Sequence, residues 1–150
     1  MSQDTLRVVS MALGIIALSG LAAWMGLVHG CESASVSGVV AGRVTIAQAL
    51  ASTVKPSDVL FIIIRRPQSP PRPIAVKRID SPQFPLAFTV TNQDVMVRGS
   101  ELRGMVEVVA RLDRDGSAGP PQPGDLEGAF ENNPTLVGGR DIEIVIDKVY

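Results

Sequence analysis

The sequence predicts a mainly β protein, a β-sandwich of six or seven strands that is preceded by one N-terminal transmembrane α-helix. An uncharged apolar stretch of membrane-spanning length lies near the N-terminus. Short segments rich in β-branched residues follow it at close spacing, which is typical of an all-β fold. The 150 residues include 14 glycines and 11 prolines, and this composition indicates many turns. About 110 residues remain after the membrane segment, enough for a single hydrophobic core.

The apolar stretch runs from Val8 to Val28 and contains no charged residue. As a helix rising about 1.5 Å per residue it would span about 31 Å, roughly the thickness of the hydrocarbon core. A secretory signal peptide is the alternative, but its apolar region is normally only about 7–15 residues long. Gly30 and Cys31 partly resemble a lipoprotein signal, although His29 fits that signal poorly. We therefore predict an uncleaved anchor.

The charges next to this stretch predict its orientation in the membrane. Arg7 is the only basic residue near its N-terminal side, so the positive-inside rule places the N-terminus in the cytoplasm. We expect a single-pass protein of the bacterial inner membrane, with residues 1–31 as cytoplasmic stub and anchor, 32–35 as linker and 36–150 as periplasmic domain. Small residues at helical spacing predict a face on which another helix can pack closely. They are Ser10, Gly14, Ser19, Ala22, Ala23 and Gly26.

The strongest strand signal lies between Asp58 and Arg66, where a continuous apolar run predicts burial on both faces. The segment Phe84–Thr91 alternates, which directs Phe84, Leu86, Phe88 and Val90 to one side of a half-buried strand. The other predicted strands are Val36–Ile46, with a possible bulge, Ile74–Ile79, Met105–Asp113 and Asp141–Val149. In the last of these, Ile142, Ile144 and Ile146 alternate with Glu143, Val145 and Asp147 and are expected to share one face. One helical turn is expected at Ala47–Ser52.

Two proline-rich loops are the candidate binding surfaces. Pro67–Pro73 and Arg114–Gly128 cannot form regular ladders, and prolines reduce the entropy that a loop loses when it binds a partner. The alternative is that each loop is a structural crossover between strands. The candidate partner-binding residues are Pro121, Gln122, Pro123, Gly124, Asp125 and Leu126, together with Arg65, Arg66 and Arg72 as contacts for an acidic partner or lipid phosphates.

The residue types do not predict catalysis, a metal or a cofactor. His29 is the only histidine, and His29 and Cys31 alone are too few for a zinc site. The segment Asp113–Ser117 faintly resembles a calcium loop, but a hairpin turn is the better interpretation because a distal glutamate at the required spacing is missing. The single cysteine excludes an internal disulfide. A net charge of −1 with only four Phe, one Trp and one Tyr disfavours nucleic-acid binding.

The soluble part, from Val36 to Tyr150, resembles the C-terminal immunoglobulin-like periplasmic domain of the CcmI/CycH family of c-type cytochrome biogenesis proteins. The most specific stretches are PIAVKRI at 73–79, PLAFT at 85–89 and QPGDLEG at 122–128. The resemblance implies an immunoglobulin-like β-sandwich. Family members normally carry two transmembrane helices and a helical repeat region that captures apocytochrome. This sequence shows one anchor instead, so capture by such repeats does not carry over.

Two functions follow from these observations. The first is a non-catalytic, membrane-anchored scaffold, an accessory subunit that stabilises a respiratory or photosynthetic electron-transfer complex containing a c-type cytochrome. The alternative is an assembly factor, an adaptor or chaperone, for c-type cytochrome biogenesis. In both cases the partners are subunits of a membrane protein complex and the lipid bilayer, with no nucleic acid.

Overall fold

A computed structural model describes residues 38–68, 70 and 72–150 of the chain. The predicted anchor and linker, with the small residues of the anchor, His29 and Cys31, lie outside these described residues. Within the described ranges, no helix is both long and apolar enough to cross a membrane.

Nine strands and two short 3₁₀ helices make up the described chain. The strands are β1 (Val39–Ile46), β2 (Val59–Arg65), β3 (Pro73–Asp80), β4 (Leu86–Thr91), β5 (Met105–Asp113), β6 (Leu126–Ala129), β7 (Thr135–Leu136), β8 (Ile142–Ile146) and β9 (Lys148–Val149). The 3₁₀ helices are η1 (Gln48–Thr53), after β1, and η2 (Asn92–Asp94), after β4. Seven strands have at least four residues, while β7 and β9 have two each.

The strands form two sheets. The smaller sheet has the order β4-β1-β8, in which β1 is antiparallel to β4 and parallel to β8. The larger sheet has the order β3-β2-β5-β6-β9, with β7 also paired to β5, and its pairs are antiparallel. This mainly β architecture is consistent with an immunoglobulin-like β-sandwich and confirms the predicted fold class of the soluble part.

Alternate residues of both sheets form the hydrophobic core. In the smaller sheet, Phe88, Val90, Ile144 and Ile146 are buried, so the predicted faces of β4 and β8 are confirmed. In the larger sheet the core residues are Leu60, Ile62, Ile64, Val108, Ala110, Leu112 and Leu126. Each fully buried aliphatic side chain contributes roughly 1.5–3 kcal/mol relative to an exposed one.

Some local expectations differ from the structure. The register of β1 is continuous against both neighbours, so the expected bulge is absent; a register shift occurs instead between Ile64 and Arg65. The predicted loop 114–128 ends early, because Leu126 is buried and starts β6. The last predicted strand is interrupted at Asp147, where the chain passes from the smaller sheet to the larger one.

Candidate functional site

The outward face of the larger sheet carries apolar side chains in its centre. Leu60, Ile62 and Ile64 point into the core, so strand alternation turns Phe61 and Ile63 outward. The register places Ile63 between Val76 of β3 and Val109 of β5, in one row across three strands. Val109 is only 1% exposed. An outward-facing residue this deeply buried requires a cover.

The loop between β5 and β6 supplies this cover. Arg111 faces outward from β5, and its Nη2 donates a 2.8 Å hydrogen bond to the carbonyl of Gly119. Nη1 of Arg78 donates to the carbonyl of Gly116 at 2.6 Å. These two arginines hold the loop against the sheet, and Arg78 also stacks over the Phe61 ring with 5.7 Å between its guanidinium carbon and the ring centroid.

A cavity of about 300 Å³ opens between the covering loop and the strands, and we call it the outer groove. Ile63, Val76 and Val109 line it from the sheet, and Pro121, Tyr150 and Met96 line it from the surrounding segments. Arg65, Arg111 and Glu127 add the charged groups of the lining. The outer groove therefore combines an apolar floor with a few polar groups, the usual composition of a binding site.

The loop that borders the outer groove is held by buried polar contacts. The Asp125 carboxylate accepts from the backbone N–H of Gln122 at 2.7 Å and of Arg114 at 3.1 Å. The Arg114 guanidinium donates to the carbonyl of Gly124 at 2.9 Å and to Oδ2 of Asp58 at 2.7 Å. Asp58 and Asp125 are both buried. These contacts fix the loop in advance, which lowers the entropy that it would lose on binding.

The C-terminal segment forms another border of the outer groove. The Tyr150 hydroxyl donates to Oε1 of Glu127 at 2.8 Å, and the Lys148 ammonium lies 4.2 Å from the centroid of the Tyr150 ring. The backbone N–H of Tyr150 donates to the carbonyl of Asp125 at 2.9 Å. The loop between β5 and β6 and the C-terminal segment therefore stabilise each other.

The structure places some of the predicted binding residues in the outer groove or on the loop beside it. Arg65 and Pro121 line the outer groove together, and Arg65 Nε pairs with Glu107 at 2.7 Å. Gln122 and Pro123 are exposed on the same loop, and Gly124 adopts a positive φ of 96° in its turn.

The remaining predicted residues lie elsewhere. Asp125 and Leu126 are buried, so they support the loop from inside rather than present a surface. Arg72 is exposed and does not line the outer groove, and the Arg66 guanidinium donates to the carbonyl of Arg103.

Sequence reasoning missed the floor of the outer groove. Val76, Val109 and Met96 were not among the candidate residues. One signal was available in β2, whose apolar run has no polar side to turn to solvent, and a strand of that kind must be covered on both faces.

The lining of the outer groove is limited to a few residue types. It contains no histidine, cysteine or serine. Among the described residues, no three His, Cys, Asp or Glu side chains are grouped to hold a metal. The predicted hairpin turn at 113–117 has Oδ1 of Asp113 accepting from the backbone N–H groups of Asp115, Gly116 and Ser117 at 3.1, 2.7 and 3.1 Å.

The chain has identifiable relatives. The cytochrome c-type biogenesis protein CycH of Pseudomonas aeruginosa is 36% identical over 78 residues, which cover 51% of this chain but only 19% of that protein. An uncharacterized protein of Aquifex aeolicus is 28% identical over 111 residues, covering 74% of this chain and 71% of the other.

A solved structure also aligns with the chain. It is an alternative pilotin from the type II secretion system of Vibrio cholerae, which matches 73% of this chain and 96% of its own with 15% identity and a TM-score of 0.45. A likeness of this degree carries no functional argument.

The model of the cytochrome c-type biogenesis protein H Ig-like domain matches residues 40–147. The matched range includes every strand from β2 to β8 and begins within β1. It agrees with the resemblance that the sequence motifs carry. Because this range covers most of the 150 residues, the chain belongs to the family of the cytochrome c-type biogenesis protein H Ig-like domain.

Proposed function

We propose that this protein is a non-catalytic assembly factor in c-type cytochrome biogenesis, an adaptor that binds a protein partner through the outer groove. The observation that carries the proposal is the family match over residues 40–147. The family and the Pseudomonas relative are named for biogenesis. Their names favour this function over the accessory subunit of an electron-transfer complex.

We also propose that residues 8–28 anchor the chain in the bacterial inner membrane with its domain in the periplasm. The uncharged stretch has the length of a membrane span, and Arg7 lies on its N-terminal side. An adaptor held at the membrane surface meets membrane-bound partners at a high effective concentration.

The outer groove is the surface that we assign to the partner. Its floor of Ile63, Val76 and Val109 can receive an apolar side chain of a biogenesis protein or of the cytochrome polypeptide. The half-exposed Arg65 beside this floor can attract an acidic residue of the same segment. Because the loop and Tyr150 are already fixed, binding requires little ordering of this domain.

A deletion strain tests the assembly function. We expect loss of covalent haem staining from all c-type cytochromes, since an assembly factor serves each of them, and recovery when the gene is returned. Loss confined to one membrane complex, with haem attached normally to the other c-type cytochromes, would favour the accessory subunit instead.

A charge placed in the floor of the outer groove tests the docking surface. We expect Val76→Glu to abolish co-purification of the partner, because the new carboxylate removes apolar contact area from the floor and must lose its hydration when the partner binds. Thr89→Glu is the matched control, since Thr89 is an exposed residue of β4 in the other sheet. Equal co-purification with both variants would show that the partner binds elsewhere, and thermal unfolding confirms that both variants are folded.

A further inference from the structure

The start of the described chain and several strand ends lie at one end of the sandwich. The backbone N–H of Gly138 donates to the carbonyl of Val39 at 2.8 Å, at the beginning of β1. The N–H of Leu102 donates to the side chain of Asn92 at 2.9 Å, just after β4. Arg66, which follows β2, donates through its side chain to the carbonyl of Arg103. We call this the proximal end, because the described chain begins there.

The proximal end exposes large apolar side chains. Met96, Val97, Met105 and Leu136 are each between 41% and 63% exposed. Met105 and Leu136 are paired across β5 and β7, and the N–H of Met96 donates to the carbonyl of Ile74 at the start of β3. Single exposed apolar residues are ordinary, but a group of this size at one end of a domain indicates a contact surface.

Exposed arginines lie at the same end of the domain. Arg98 and Arg103 lie in the segment between Val97 and Met105, and Arg72 precedes β3; all three are exposed. Glu101 is the only acidic residue from Met96 to Met105. Exposed apolar side chains together with arginines match the chemistry of a bilayer interface, where the former enter the acyl boundary and the latter meet lipid phosphates.

The preceding sequence makes a bilayer the best-supported occupant. Only residues 29–37 separate the predicted anchor from Gly38, and nine residues reach at most about 32 Å when fully extended. The proximal end therefore cannot lie farther than this from the outer end of the proposed anchor.

We propose that the proximal end of the sandwich rests on the surface of a bilayer that contains anionic lipid, with Met96, Val97, Met105 and Leu136 in the headgroup region. This inference rests on the membrane anchor proposed above. It defines which side of the domain faces the lipid, and it leaves the rest of the outer groove, which shares Met96 with that side, as the surface for protein.

Fluorescence quenching by lipid tests the contact in the full chain. In a Cys31→Ser background, which removes the only cysteine, Val97→Cys and Leu136→Cys are each labelled with a small fluorophore. Gln48→Cys in η1 is the matched control, because Gln48 is exposed and η1 follows the opposite end of β1. The proteins are reconstituted in phosphatidylcholine vesicles with or without phosphatidylglycerol, and the quencher is a headgroup-level nitroxide lipid.

We expect quenching at positions 97 and 136 to exceed that at position 48 several-fold in the phosphatidylglycerol vesicles. Arg98→Gln and Arg103→Gln should each weaken the contact about fivefold, as expected for loss of one cation near an anionic surface. Equal quenching with and without phosphatidylglycerol would overturn the role of anionic lipid.

Further outcomes distinguish failure of the lipid contact from failure of the proposed anchor. A chain that floats with the vesicles but shows no excess quenching at position 97 would overturn the contact and leave the anchor intact. A chain that does not float would overturn both. Labels shielded from an aqueous quencher yet untouched by the lipid quencher would identify a protein cover and would also overturn the proposal.

Discussion

Burial and backbone hydrogen bonds shift the pKa of the Asp113 carboxyl in opposite directions. Burial raises the pKa of its carboxyl above the usual value of 3.8, and the neighbouring Asp115 and Asp125 raise it further. Hydrogen bonds from the backbone of Ser117 and Gly116 lower the pKa but do not outweigh these effects. Nε of Arg111 lies 3.7 Å from Oδ2 of Asp113, an ion pair without a hydrogen bond.

The raised pKa predicts a pH dependence of stability. The folded state binds the Asp113 proton more readily than the unfolded state, so this contribution is present below pH 3.8 and is lost as the pH rises through the raised pKa. We expect the free energy of unfolding, measured relative to Asp113→Asn, to fall over that window. Urea unfolding at a series of pH values measures this free energy. A free-energy difference between the two proteins that grows with pH would contradict a raised pKa of Asp113.

Substitution of Phe88 tests the packing of the core. Phe88 is 4% exposed and packs in the core from β4, the strand whose alternation the sequence made plain. Phe88→Ala is expected to lower the free energy of unfolding by about 3–5 kcal/mol, because it leaves a cavity as well as losing burial. Thr89→Ala, on the exposed side of the same strand, should change it by less than about 0.5 kcal/mol. If urea unfolding gives a similar loss of unfolding free energy for both variants, Phe88 does not lie on the buried face of β4.

At the scale of elements, the two sheets approach each other closely where β6 meets β8. A Cβ atom added to Gly128 would lie 2.1 Å from the carbonyl oxygen of Val145. Near this point Asp147 carries the chain between the sheets, and its N–H donates to the carbonyl of Glu127 at 3.2 Å. Only glycine fits such an approach of two backbones.

Gly128→Ala is therefore expected to destabilise the domain by about 2–3 kcal/mol, because the added methyl group forces the two sheets apart. Gly119→Ala is the matched control, since its added Cβ would meet only Ser117 Oγ at an ordinary 3.7 Å. Thermal unfolding of both variants provides the comparison. A Gly128→Ala protein as stable as the control would mean that the sheets are less closely packed at this edge.

The strands show which features of the fold local sequence patterns can predict. Alternation predicted the buried faces of β4 and β8, where Phe88 and Ile144 lie in the core. It did not predict β6, because four residues with a glycine among them carry too little pattern. The outer groove depends on the register of Ile63 with Val76 and Val109 and on the loop that Arg111 holds. Register and loop contacts of this kind are tertiary, so local sequence does not contain them.

At the scale of the whole molecule, the described domain carries the two proposed contact surfaces at different places. The core lies between the sheets, the outer groove lies on the far face of the larger sheet, and the exposed apolar group lies at the proximal end. Of the four residues in that apolar group, only Met96 also lines the outer groove. If both proposals hold, the domain would touch lipid and hold a protein at the same time.

The parallel pairing of β1 with β8 has a consequence for biosynthesis. Gly42 is registered with Ile142, so the first strand meets its partner about one hundred residues later in the chain. Contacts of such long separation slow folding, and a ribosome delivers the chain from its N-terminus. The smaller sheet therefore stays unfinished, with one side of β1 open, until the residues of β8 have been made.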